Sequence, residues 1–247
     1  MNAKPLIAAS LILGAWSPAL LADTCEQLPG HAALHTILRA AVPGSGTPNG
    51  GLGFPMWLTL VDGSGRVCAV TTSLAEGQDV TSDIWLGSRV ISAQKANTAN
   101  SFSIGSLSLS TANLYAAVQP GGSLFGLQES NPVNDSVAYG GAANSYGTPN
   151  DPLEGKRIGG INVFGGGLTL YRAGKKIGAI GVSGDTSCTD HVVAWKVRHE
   201  LALDGVPVFG PFDRMIQDLG SSTPSGFGHP TCLNNPTAAN DGGSIVH

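Results

Sequence analysis

The sequence predicts an α+β fold in which helices pack on an antiparallel sheet. Three observations predict it. Two strand pairs are visible, each closed by a short polar turn. Segments with helical or small-residue patterning precede, separate and follow those pairs. The order that results is helix, hairpin, helix, helix, hairpin, helix, which favours an antiparallel sheet over a doubly wound parallel one.

The elements follow in chain order. Met1 to Lys4 is basic, and Leu6 to Leu21 is apolar with Pro18 near its end. This is the pattern of a secretory signal peptide over 1–22, with Ala22 the last residue removed and Asp23 the new N-terminus. An uncleaved N-terminal anchor is the alternative, although the run is short for a transmembrane helix. No later segment reaches about 18 unbroken apolar residues. A periplasmic or secreted chain without a membrane span is therefore expected.

Gly30 to Val42 reads as a helix, because Leu34, Ile37, Leu38 and Ala41 recur at helical spacing. Pro43 to Pro55 is a Gly/Pro/Asn loop. Its glycines make no dinucleotide fingerprint, since no strand precedes them and no helix follows. Trp57 to Val61 and Val67 to Thr72 read as a hairpin. Asp62-Gly63 supplies the positive φ of a tight turn. Trp85 to Phe102 reads as a helix rich in Ala, Ser and Asn, which lets another element pack close. Leu107 to Ala117 reads as a second short helix, and Ser123 to Asp151 as a long loop of functional or interface type.

Gly159 to Leu170 and Lys176 to Val182 form the second strand pair, turning at Arg172-Ala173-Gly174-Lys175. Their alternation is loose, so both sheet faces are expected to be covered. A helix runs from Ser187 to about Leu203. The Ser187 hydroxyl is its expected cap, with Asp190 three residues on in a capping-box-like pattern. Beyond it, 211–247 is Pro/Gly/Asn-rich and reads as an extension held by Cys232. One domain over 23–210, with an insertion at about 103–157 and a C-terminal extension, fits better than two domains.

Composition narrows the function. The chain has 247 residues, 12% charged and 42% apolar, with a formal charge of −4. Nothing basic is concentrated enough to suggest nucleic acid. Cys25, Cys68, Cys188 and Cys232 remain after cleavage. An even count in an exported chain favours disulfides, with three possible connectivities. The preferred pairing is Cys68 with Cys188, joining a core strand to a core helix, and Cys25 with Cys232, tying the termini together. Four buried thiols are the alternative. No CxxC pair suggests zinc.

Four motifs in order carry a resemblance. They are Val61-Asp62-Gly63-Ser64-Gly65, Ala93-Gln94-Lys95-Ala96-Asn97-Thr98-Ala99, the Gly159-Gly160-Ile161-Asn162 segment, and Gly178 to Gly184 reading GAIGVSG, with Asp190 behind them. Together they resemble the GlcG/HbpS-like family over roughly residues 30–205. The resemblance implies a profilin-like five-stranded antiparallel sheet with packed helices. It also implies heme as cofactor and a homo-oligomer with heme near subunit contacts. A protein that sequesters, senses or transfers heme is the function so implied. The chain departs from the family in lacking the usual Pro before the penultimate strand, in its insertion and in its tail.

Heme iron needs a Lewis-basic axial ligand, most often His. His31 and His35 share one helix face with Leu34 and Leu38. His191, Trp195 and His199 form a stripe on the last helix, with Arg198 beside it. His35 and His191 are the candidate iron ligands. Lys95, and Arg89 six residues before it, can meet propionates or form structural ion pairs. His229 and His247 in the tail rank lower. Gly181-Val182-Ser183-Gly184-Asp185 is one residue short of a nucleophile elbow. Adjacent Asp190 and His191 point about 100° apart on a helix, a poor triad. The rival readings are a non-catalytic interaction module, or a binder of a cobalamin or organic acid.

Overall fold

The computed structural model describes residues 24–44, 46–207, 213–222 and 224–246. The expected signal peptide over 1–22 and His247 lie outside them. The elements are α1 His31–Ala41, β1 Trp57–Asp62, β2 Val67–Thr72, α2 Gly87–Phe102, α3 Asp135–Ala138, β3 Gly167–Arg172, β4 Lys175–Ser183, α4 Ser187–Glu200, β5 Met215–Ile216 and β6 Ile245–Val246.

The main sheet runs β2-β1-β4-β3, antiparallel throughout. Its two faces follow the period of two along each strand. Leu58, Leu60, Ile180 and Val182 meet Leu34 and Leu38 of α1 and Val193 and Val197 of α4. Trp57, Val61 and Ala179 meet Val90, Ala93, Ala96 and Ala99 of α2. Both faces are covered, as the loose alternation implied. The small residues of α2 bring it very close to β4. A Cβ added at Gly181 would lie 1.9 Å from the Ser92 carbonyl oxygen.

Among the described residues the main sheet has four strands, where the family resemblance implied five. Two hydrogen bonds instead cover the outer edge of β2: the Gly155 N–H to the Val67 carbonyl and the Val67 N–H to the Lys156 carbonyl, at 2.9 and 2.8 Å. No further strand pairs there. The first hairpin forms as expected, but its left-handed residue is Gly65 at φ 79°, not Gly63. Asp62 Oδ1 accepts the N–H groups of Ser64 and Arg66 and closes the turn.

Three further expectations give way to tertiary contacts. Residues 107–117 form no α-helix; they contribute 3-10 turns at Thr111–Leu114 and Ala116–Val118. Their hydroxyls are used elsewhere. Ser108 donates to Asp213, and Thr111 donates to the Phe164 carbonyl while accepting the Gly167 N–H. The strand expected from Gly159 begins only at Gly167. Gly159, Gly160 and Gly166 have φ of 66°, 78° and 113°, conformations that a strand cannot hold. Helix α4 is capped by Thr186, whose Oγ1 accepts the Thr189 N–H at 3.3 Å. It ends at Glu200, before the left-handed Ala202.

Both pairs of cysteines are joined, but not in the expected pairing. The disulfides are Cys25–Cys68 and Cys188–Cys232, with Cα atoms 5.2 and 5.9 Å apart. Position along the strands explains the correction. The end of β4 that leads to Cys188 lies beside Thr72, since Ser183 pairs with Trp57 and Trp57 with Thr72, whereas Cys68 sits near the other end of β2. Four residues at about 3.3 Å each exceed the reach of about 7 Å that a disulfide allows. Each terminal segment is therefore clamped separately, one to β2 and the other to the start of α4.

Candidate functional site

Helix α1 buries Leu34 and Leu38, which places His31 and His35 on its flank toward β2. Their rings stack at 6.2 Å with 9° between planes. His31 Nε2 lies 2.7 Å from the Gly147 carbonyl, which can only accept, so that nitrogen carries the proton. His35 Nδ1 lies 3.1 Å from Thr71 Oγ1 on β2. Partial burial lowers the pKa of His35, and the neighbouring Arg39 and His31 add to the effect. A backbone hydrogen bond at Thr72 works against this, but the net shift favours the neutral ring, the form that ligates metals.

His35 lines a cavity of about 350 Å³ together with Leu74, Val80, Tyr146 and Arg39. A second cavity of about 220 Å³ adjoins it and shares Arg39, Ala75 and Gln78; Ser73 also lines it. The insertion builds the far wall. Gly147, with φ of 72°, sits against Trp57 and Thr72, where a Cβ would come within 3.2 Å of the Trp57 ring. The Arg89 guanidinium lies 3.8 Å over the Tyr146 ring. Arg89 Nε also donates to Asp151 Oδ2 at 2.9 Å, and Arg89 Nη1 to the Ala138 carbonyl at 3.1 Å. Nearby, burial and the Asp151 charge push the Glu154 carboxyl up to about 7.

The other candidates lie elsewhere. Lys95 is 1% exposed; its Nζ donates to Asp190 Oδ2 at 2.7 Å and to the Val182 carbonyl at 3.0 Å. Lys95 and Arg89 are therefore structural ion pairs. Burial pushes Asp190 up to about 6 despite the Lys95 charge. On α4, His191 is fully buried and pushed down to about 3, chiefly by that burial. Its Nε2 lies 3.2 Å from the Ser244 carbonyl, and its Nδ1 has no partner. Trp195 is half-buried under the Arg198 guanidinium, whereas His199 is exposed and bonded to Asp204. That hydrogen bond raises the pKa of His199. The α4 stripe is thus divided between interior and solvent. No triad forms around Ser183, because Asp190 is committed to Lys95 and to the Asp185 N–H.

The family model described as "Haem degrading protein HbpS-like" matches residues 50–198. The chain belongs to the HbpS-like family. An uncharacterized 15.0 kDa protein from the dhaT-dhaS intergenic region of Citrobacter freundii is 33% identical over 150 residues, which is 61% of this chain and 75% of that protein. Among solved structures, the ORFY protein of Klebsiella pneumoniae is 25% identical at a TM-score of 0.48, covering 76% of this chain and 98% of the other. The PduOC protein, solved as a heme complex, is 26% identical at a TM-score of 0.43, covering 68% of this chain and 91% of the other.

Within this HbpS-like chain the matched stretch contains Lys95, Asp190, His191 and Trp195, whereas His31, His35 and Arg39 precede it. Sequence reasoning missed Arg39. Its spacing of four from His35 on one helix face was the available signal.

Proposed function

We propose that the chain binds heme in the groove between α1, the end of β2 and the insertion, with His35 as the axial ligand. The observation that carries the reading is that His35 lines the cavity of about 350 Å³. The donor set suits the group: an imidazole held by Thr71, apolar walls from Leu74 and Val80, and a guanidinium at Arg39 for a propionate. The cavity of about 350 Å³ falls within the range of roughly 300–1,000 Å³ typical of small-molecule sites. The family description, which concerns haem, supports the same reading. The buried His191 serves the core and the tail. Cys25–Cys68 and Cys188–Cys232 suit an exported chain, and the N-terminal pattern over 1–22 agrees. Such a protein sequesters, senses or transfers heme. The exposed Phe54–Trp85 pair, 4.8 Å apart, suits a contact between copies.

Titration of residues 23–247 with heme tests the reading through the Soret band. Saturable binding near one heme per chain or per dimer is expected. His35→Ala should weaken binding at least about tenfold and shift the band, as loss of a metal-ligand interaction does. His191→Ala should leave the band in place. A non-saturating change, or an unaltered spectrum and affinity in His35→Ala, would overturn the assignment.

A further inference from the structure

Apart from the residues assigned to heme, the side chains of Cys188, Cys232 and His229 offer ligand atoms all within 4.8 Å of one another. We propose that reducing the Cys188–Cys232 disulfide turns this cluster into a Cys2His site for a soft divalent ion of the zinc type. The proposal is independent of heme binding.

Each group is already arranged as a ligand would be. The Pro230 carbonyl, 2.7 Å from His229 Nδ1, can only accept, so Nδ1 carries the proton. The lone pair is therefore at Nε2, where it takes the Ser187 hydroxyl at 2.7 Å. A backbone carbonyl on one ring nitrogen is the common way to fix the tautomer that binds metal through the other. An ion on Nε2 takes the place of the Ser187 hydroxyl, so the Ser187 side chain turns to another rotamer and gives up the Gly165 N–H that it accepts at 2.6 Å.

The sulfurs are prepared in the same way. The Cys188 N–H points at Cys232 Sγ at 3.1 Å, and Gln217 Nε2 approaches Cys188 Sγ at 3.4 Å. Such donors, with Cys188 in the first turn of α4, favour thiolates. Two thiolates on one tetrahedral zinc stand roughly 3.8 Å apart, since Zn–S is about 2.3 Å. Cα atoms 5.9 Å apart allow this without moving α4. Among the described residues the other cluster of this kind is Cys25, Cys68 and Asp62, and it lacks a free ligand. Its Asp62 carboxylate is occupied by Ser64 and Arg66.

The chemistry balances with a dithiol as reductant. The dithiol gives up two electrons and two protons, and its own sulfurs close into a disulfide. The Sγ–Sγ bond of Cys188–Cys232 breaks, and each sulfur takes one proton. Binding of the divalent ion then forms two metal–sulfur bonds and releases both protons. Water completes the coordination.

The test uses cobalt(II) as a spectroscopic substitute for zinc. The protein is reduced with dithiothreitol, freed of it under argon, and titrated. Reduced wild type should take up one cobalt per chain, with a near-ultraviolet thiolate-to-cobalt band that zinc abolishes; oxidised protein should show none. The band should survive in Cys25→Ser/Cys68→Ser and vanish in Cys188→Ser/Cys232→Ser. His229→Ala should weaken it at least about tenfold. No thiolate band in reduced wild type, or a band that persists in Cys188→Ser/Cys232→Ser, would overturn the proposal. The wild-type titration decides by itself, so a variant that fails to fold leaves the test standing.

Discussion

Lys95, Arg89 and Arg198 are buried cations, and each is met by one carboxylate: Asp190, Asp151 and Asp213. Burying a charge is costly, and removing one partner leaves the other uncompensated. Lys95→Ala should therefore destabilise the chain by about 3–5 kcal/mol, read from urea unfolding. Lys95→Met combined with Asp190→Leu should recover much of that loss, because two apolar side chains replace the pair. If Lys95→Ala unfolds at the wild-type midpoint, the pair contributes nothing. The sequence shows why such residues are ambiguous. Lys95 sits in a small-residue helix, where a cation is equally suited to an anionic ligand or a buried acid. Its partner lies 95 residues away, and that of Arg89 lies 62 residues away. Only the strand order that brings α2 against β4 decides between the two.

At the scale of elements, the contact between α2 and β4 is set by absent side chains. A Cβ at Gly181 would meet the Ser92 carbonyl at 1.9 Å and the Ala96 nitrogen at 2.5 Å. Both are backbone atoms and cannot turn aside. Gly181→Ala should separate helix from sheet and cost at least about 1–3 kcal/mol. Gly105→Ala, where nothing lies within 4 Å, should stay within about 0.5 kcal/mol. Equal midpoints for the two variants in thermal unfolding would contradict the close packing. Helices α1, α2 and α4 and both hairpins were legible in the sequence because their periodicity and turn residues are local signals. Residues 111–118 and 159–166 were not, since their conformation depends on where Thr111 bonds and on glycines with positive φ. The disulfide pairing failed for a related reason. It depends on which end of the sheet each cysteine reaches, which cysteine spacing does not encode. At the candidate site, the α1 histidines were legible from helical spacing. The cavity beside them was not, because an insertion without periodicity builds its wall.

Across the whole molecule, the tail is held on α4 by Cys188–Cys232, by Arg198 to Asp213 at 2.6 Å, and by two buried histidines. His191 meets Ser244, and His229 meets Ser187. Burial pushes their pKa values down to about 3 and about 4. Both rings are neutral when folded, whereas an unfolded His titrates near 6.5. The unfolded chain therefore binds these protons first. Their stabilisation is complete above about pH 6.5 and is lost as pH falls from there through the folded values. Asp190 and Glu154 act in the opposite sense. Burial raises them to about 6 and about 7, so their contribution is present at low pH and is lost as pH rises through those values. The pH profile of wild type alone thus mixes opposing effects over the same window. Comparison with His191→Leu separates them, because leucine does not titrate while both carboxylates remain. The stability difference, wild type minus variant, should fall by about 3 kcal/mol between pH 7 and pH 4, at 1.36 kcal/mol per pKa unit. Urea unfolding at each pH measures it. Parallel profiles would show that His191 gains its proton without cost and that the tail does not enclose it. A falling difference, with faster hydrogen exchange over 213–246 at pH 4, would show that acid acts on the clamp between tail and α4.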